Sequence, residues 1–89
     1  MLKEAAQVGQ HFRWTSVSER SSTGTAVLRR VLSDREEGMS PEIEDYTALW
    51  FEADGLTGMR EHQSFTVTLG TDGNSYIEGQ QVTIELLFP

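Results

Sequence analysis

The run of large apolar side chains at residues 46–53 constrains the fold more than any other stretch. It reads Tyr-Thr-Ala-Leu-Trp-Phe-Glu-Ala and holds three of the eight aromatic residues in the chain. Tyrosine, threonine, tryptophan and phenylalanine favour strands, and the run has an ordinary strand length. We therefore predict a strand here, with Leu49, Trp50 and Phe51 in the core and Asp54-Gly55 as the turn that follows it.

A helical alternative exists for the same stretch. Ser40 is a suitable helix cap, Pro41 suits the first helical position, and Glu42 is an acid in the first turn. A helix continuing from there would place four residues on one face: Ile43, Tyr46, Trp50 and Ala53. Both interpretations bury Trp50, but they lead to different fold classes. We favour the strand because of the residue types, with residues 40–44 forming at most one helical turn.

Alternation of apolar and polar residues predicts further strands near residues 11–18, 25–33, 64–70 and 75–88. In the first of these, Phe12 and Trp14 share one face. Gly79 marks a turn or bulge inside the last. Residues 25–33 also fit an amphipathic helix, and the Ser/Thr/Gly loop before them suits a hairpin equally well; we predict a strand.

These segments predict one small, mainly β domain, all-β or α+β, spanning residues 1–89. Its form is a small antiparallel sheet, barrel or sandwich of about five strands. Residues 1–10 are either a short helix or a flexible arm. Residues 34–45 hold six carboxylates with a glycine and a proline, which predicts an acidic loop.

Composition excludes several classes of protein. The chain has no cysteine, which excludes disulfides and thiolate metal sites. No apolar run approaches the ~20 residues that a membrane-spanning helix needs, and residues 1–6 lack a signal-peptide pattern. We therefore expect a cytoplasmic protein that makes no contact with membranes.

The charge is unevenly distributed along the chain. The net charge of −7 argues against direct contact with nucleic acid. Residues 1–35 carry a net charge of +3 and residues 36–89 one of −10. Such an asymmetry indicates either complementary surfaces that meet in an oligomer or two halves whose charges cancel on folding.

No catalytic constellation is recognisable, so we predict no catalytic residues, no metal site and no cofactor. The sequence lacks a nucleophile elbow, a phosphate-binding loop and a His-Glu-x-x-His motif. A ligand site or enzyme using His62 with Asp54 or Glu61 is a further alternative. Adjacent residues of an extended loop point apart, which favours a solvated His62 instead. His11 is interpreted as an edge or partly buried histidine at the start of a strand.

The favoured function is a non-enzymatic protein-interaction or assembly module, oligomeric through its β-edges and aromatic strands. Small accessory proteins of phages and other mobile elements have this general character, although no motif ties the chain to a family. The alternative is an acidic inhibitor whose residues 34–45 imitate a nucleic acid and capture a basic host protein, such as a nuclease. The expected partner is thus a protein or a second copy of the chain.

The interaction candidates are clustered charges and the two tryptophans: Arg29, Arg30, Glu36, Glu37, Glu42, Glu44, Asp45, Trp14 and Trp50. Each group also has an ordinary structural explanation. Paired arginines are commonly solvated or held in internal salt bridges, and clustered acids are commonly a solvated loop. Tryptophans in so small a chain are commonly needed in the core or in a subunit interface.

Overall fold

The computed structural model is a closed barrel of six antiparallel strands, in which each strand pairs with its neighbour in the sequence and the last pairs with the first. Residues 6–33, 49–70 and 73–87 are described. The strands are β1 His11–Ser16, β2 Thr23–Ser33, β3 Leu49–Gly58, β4 Ser64–Leu69, β5 Ser75–Ile77 and β6 Gln80–Leu86. The prediction of a small, mainly β domain is confirmed, and of the sheet, barrel or sandwich that it allowed, the barrel is observed, with six strands instead of about five.

The additional strand comes from the predicted segment 75–88. It is divided into β5 and β6 by a tight turn at Glu78 and Gly79, whose φ angles are 51° and 83°. Two consecutive positive φ values are typical of the two-residue hairpin turn that matches the twist of its strands. Gly79 therefore marks a full chain reversal.

The strand predicted at residues 46–53 is confirmed from Leu49 onward, and residues 46–48 lie outside the described part. Its predicted end is wrong, because β3 continues to Gly58. Asp54 pairs with Val27 of β2, and Gly55 pairs with Ala26. Asp54-Gly55 is therefore a segment of paired strand, not a turn.

The strand predicted at residues 25–33 is confirmed as β2, which begins at Thr23. The helix considered for residues 1–10 is absent from their described part, residues 6–10. There the chain turns at Val8 and Gly9, and the Gly9 amide donates to the Leu28 carbonyl oxygen at 2.8 Å. Hydrogen bonding to β2 takes the place of a helical turn. The acidic loop predicted at residues 34–45 lies outside the described residues.

Side chains from alternate positions along the strands fill the barrel interior and form the core. Phe12 packs edge-to-face on Phe51 with ring centroids 5.8 Å apart, and Trp14 meets Phe65 in the same way at 6.5 Å. The buried apolar residues are Phe12, Trp14, Ala26, Leu28, Leu49, Phe51, Ala53, Phe65, Val67, Leu69, Ile77 and Val82.

The prediction that Trp50 lies in the core together with its two neighbours is wrong. Leu49 and Phe51 are buried as predicted, but Trp50 is only half-buried. Neighbouring residues of a strand point to opposite faces, so all three cannot enter the same core. Trp50 lies on the outer face of β3, where it pairs with Thr68 of β4.

The barrel has two different ends. At the loop end lie the β1–β2 loop, the β3–β4 loop and the β5–β6 turn. At the arm end, β2 finishes, β3 begins, and the chain approaches β1 through residues 6–10. Among the described residues, no helix is long and apolar enough to cross a membrane.

Candidate interaction surface

The most unusual feature at the arm end is the length of β2. The β1–β2 pairing begins at His11 and Val27, and Gln10 adds a hydrogen bond from the Leu28 amide at 2.9 Å. On its other side, β2 stays paired with β3 as far as Ser33 and Trp50. Within the described part of the chain, no strand therefore pairs with residues 29–33 on the side of β1. We call this segment the free β2 edge.

The free β2 edge exposes apolar side chains next to charged ones. Val31 is 43% exposed and Leu32 is 42% exposed. If the side chains of β2 alternated regularly between its two faces, one of the two apolar residues would point into the core. One of the two preceding arginines, Arg29 and Arg30, would do the same. Register shifts between Leu28 and Arg30, and again beyond Val31, break the alternation. Such bulges reorient side chains, and residues 29–32 are consequently all exposed.

The two arginines of the edge converge on one carboxylate of β3. Arg30 binds Glu52 in a two-pronged contact, from Nε to Oε2 at 3.0 Å and from Nη2 to Oε1 at 3.2 Å. Arg29 donates from Nη2 to Glu52 Oε2, and its Nε lies 3.7 Å from Asp54 Oδ1. Hydrogen bonds from Arg30 and Arg29 hold the pKa of Glu52 below its ordinary value of 4.5. These arginines thus form internal ion pairs on the outer face of the barrel.

This arrangement also bears on the charge asymmetry of the sequence. Strand β2, from the basic half, lies beside β3, from the acidic half, so their charges compensate locally. The described residues contain five arginines and six carboxylates. Residues 34–45, which lie between β2 and β3 in the sequence, contain six carboxylates and one arginine. Most of the net negative charge therefore belongs to the segment that follows the free β2 edge.

The structure separates the predicted interaction residues into three groups. Arg29, Arg30 and Trp50 lie on the β2–β3 pair at the arm end, where Trp50 pairs with Ser33. Trp14 lies inside the barrel and is 2% exposed, so it belongs to the core and not to the surface of the β2–β3 pair. The acidic candidates lie outside the described residues: Glu36, Glu37, Glu42, Glu44 and Asp45.

The residues of the proposed histidine site do not converge. The His62 side chain is 86% exposed, and its Nε2 lies 3.4 Å from Glu61 Oε1. Asp54 is engaged on the barrel wall, where it accepts a hydrogen bond from Ser64 Oγ at 2.7 Å. Within residues 6–33, 49–70 and 73–87, no group of three histidine, aspartate or glutamate side chains is placed to hold a metal ion.

Comparisons of the chain with protein-family models, with curated proteins and with solved structures find no match. The geometry of the described residues is therefore the basis on which a function can be assigned.

Proposed function

We propose that this protein is a non-enzymatic assembly module that pairs with a second copy of itself through the free β2 edge. The supporting observation is that, among the described residues, no strand lies beside residues 29–33 on the side of β1, although the strands otherwise close into a barrel. The amide and carbonyl groups of an open edge are a template for another strand.

The order of charges along the sequence favours a second copy as the partner. Arg29 and Arg30 stand at the start of the free β2 edge, and Asp34, Glu36 and Glu37 follow its end in the sequence. A two-fold axis makes both strands contribute the same surface in opposite directions. In antiparallel pairing, the arginine end of the edge in one copy meets the opposite end of the edge in the other, after which the carboxylates follow in the sequence, whereas parallel pairing would bring the two arginine ends together.

The exposed apolar side chains supply the remaining contact. Val31 and Leu32 are each more than two-fifths exposed, and Trp50 lies half-buried on the adjoining strand. Burying these side chains between two copies removes apolar surface from water, which stabilises the pair by about 25 cal/mol for each Å² buried. Because the edge is only five residues long, the interface is small, and we expect a dissociation constant in the micromolar range. As part of the same proposal, we place the protein in the cytoplasm, because a chain without cysteine relies on packing and strand pairing instead of disulfides.

Light scattering over a range of protein concentrations tests this proposal. The wild-type chain should approach twice the 10.0 kDa mass of one chain as concentration rises. Leu32→Lys places a charge on the edge and should hold the protein at the monomer mass. Leu56→Lys is the matched control, because Leu56 is 38% exposed but lies toward the loop end of β3. A wild-type mass of one chain at every concentration contradicts the proposal.

The acidic segment supports a second candidate, in which the barrel captures a basic protein. The described barrel is nearly neutral, while residues 34–45 concentrate carboxylates in one segment of the chain. Clustered carboxylates attract basic partners over distances comparable to the Debye length. Calorimetric titration with a basic nuclease tests this candidate. Binding should disappear when Glu36, Glu37, Glu42 and Glu44 are replaced together by glutamine, and binding that survives the replacement rules it out.

A further inference from the structure

The loop end of the barrel, which lies opposite the free β2 edge, contains a cleft of about 310 Å³. The β1–β2 loop, the β3–β4 loop and the strands β1 and β6 contribute to it. Its lining residues are Trp14, Ser22, Met59, Arg60, Gln63 and Gln80. A cleft of this size is large enough for a small organic group.

Arg60 is the cation of this cleft, and its surroundings hold it in place. Its side chain is 22% exposed, and its Cζ atom lies 5.9 Å from the Trp14 ring centroid and 5.5 Å from that of Phe65. Aromatic faces attract a guanidinium at such distances. The loop is anchored by the Met59 amide, which donates to the Thr23 carbonyl oxygen at 3.1 Å. The charge is therefore preorganised and partly removed from water.

The ion pair of Arg60 is weakly protected. Glu78 Oε1 lies 3.3 Å from Arg60 Nη1, and the Glu78 side chain is 59% exposed. Exposed ion pairs contribute little because water competes for both charges. The Glu78 carboxylate nevertheless shows which chemical group fits beside this arginine.

Two strained backbone positions flank the same cleft. Glu78 has a φ of 51° and His62 a φ of 64°, and they are the non-glycine residues with positive φ in the described chain. Such conformations are strained and concentrate at binding and catalytic sites. A glutamate in the first position of a tight hairpin turn departs from the usual asparagine, aspartate or glycine. His62 lies in the β3–β4 loop, which also carries Arg60, and Glu78 lies in the β5–β6 turn.

Trp14, one of the lining residues, also carries a buried donor. The Nε1 atom of Trp14 is buried and has no hydrogen-bond partner among the described residues. Gly24 lies against it, and a β-carbon at that position would come within 3.1 Å of Nε1. An indole N–H is a donor only, so an acceptor is the group it lacks.

We propose that the loop end binds a carboxylate group, carried by a small molecule or by the carboxyl terminus of a peptide. Arg60 is the anchoring cation, because its planar fork of N–H donors matches the two oxygens of a carboxylate. The incoming carboxylate replaces Glu78 beside Arg60. The site is independent of the self-pairing proposed above, since it uses the opposite end of the barrel.

Titration with sodium acetate at constant ionic strength, balanced with sodium chloride, tests this site. The indole N–H signal of Trp14 in nitrogen–proton correlation spectra reports binding, and Trp50→Phe identifies that signal. We expect it to shift with a dissociation constant on the order of 10 mM, appropriate to a four-heavy-atom ligand. N-acetylalanine, which imitates a peptide terminus, forms the second arm. Tighter binding of N-acetylalanine identifies a peptide terminus, and equal binding identifies a small carboxylate.

Three variants make the outcome decisive. Arg60→Gln should weaken acetate binding by about tenfold or more. Glu78→Gln should strengthen it about two- to fivefold, because the competing carboxylate is gone. Arg13→Gln is the control, since Arg13 is exposed and pairs with Glu85 on the barrel wall at 3.4 Å. The proposal is overturned if acetate leaves the Trp14 signal unmoved, or if Arg60→Gln and Arg13→Gln bind acetate equally well.

Discussion

The carbonyl oxygen of Arg60 lies 1.7 Å from the position that a β-carbon on Gly55 would occupy. The β3–β4 loop folds back onto β3 at this point. The Gly55 amide donates to the Gln63 carbonyl oxygen at 2.8 Å, and the His62 amide donates to the Gly55 carbonyl oxygen at 3.1 Å. Gly55 is therefore required for close approach of two backbone segments, within a strand.

Gly55→Ala should lower the free energy of unfolding by about 3 kcal/mol, because backbone atoms must shift to admit the methyl group. Urea denaturation measures this loss. Gly9→Ala is the control: Gly9 has a φ of 89°, but no described atom lies within 4 Å of the position that its β-carbon would occupy. It should lose only about 1 kcal/mol from backbone strain. Equal losses in the two variants would contradict the close approach.

Phe51 and Trp50 should respond very differently to truncation. Phe51→Ala removes a fully buried ring that packs on Phe12, and should cost about 3–5 kcal/mol of unfolding free energy. Trp50→Ala removes a larger but half-buried side chain on the outer face, and should cost about 1 kcal/mol. The urea midpoints of the two variants show which of them loses more unfolding free energy. A greater loss for Trp50→Ala would show that the assignment of inner and outer faces on β3 is wrong.

Glu52 predicts a defined pH dependence of stability. Its pKa is lowered in the folded state by hydrogen bonds from Arg30 and Arg29. A lowered folded-state pKa contributes stability above the ordinary value of 4.5, and that contribution is lost as pH falls through the folded value. Glu52→Gln should thus be less stable than wild type at pH 7, and the difference should shrink below about pH 4.5.

Urea denaturation of both proteins at about pH 7 and about pH 3 measures this difference. Glu85→Gln is the matched control, because the Glu85 side chain is 67% exposed and pairs with Arg13 at 3.4 Å. It should change stability little at pH 7. A difference between wild type and Glu52→Gln that is the same at both pH values would count against the arginine–Glu52 network.

Local patterns in the sequence were sufficient for most of the strands. Phe12 and Trp14 alternate with polar residues, and so do Phe65, Val67 and Leu69, and all five side chains are buried in the barrel. Period-two alternation predicts such elements because it depends only on neighbours along the chain. The turn at Gly79 was likewise marked by its own residue type.

Features that depend on distant contacts were not predictable in this way. Gly55 resembles a turn glycine because the loop that packs on it is not visible in local sequence. The free β2 edge arises from the stagger that closes a barrel, which couples the lengths of all the strands. The bulges that turn Arg29 and Arg30 to the same side also have no local signal. Arg60 was not predicted as a site residue because its aromatic neighbours come from other strands, Trp14 on β1 and Phe65 on β4.

Disulfide cross-linking between copies tests the proposed self-pairing most directly. The chain has no cysteine, so a single cysteine introduced at Val31 or Leu32 can only join two chains. Opposed residues of antiparallel strands have Cα atoms about 4.5–5.5 Å apart, within the range that a disulfide spans. We predict that Val31→Cys or Leu32→Cys gives a covalent dimer at least about ten times faster than Leu56→Cys under mild oxidation. Equal rates for all three variants would contradict pairing through the free β2 edge.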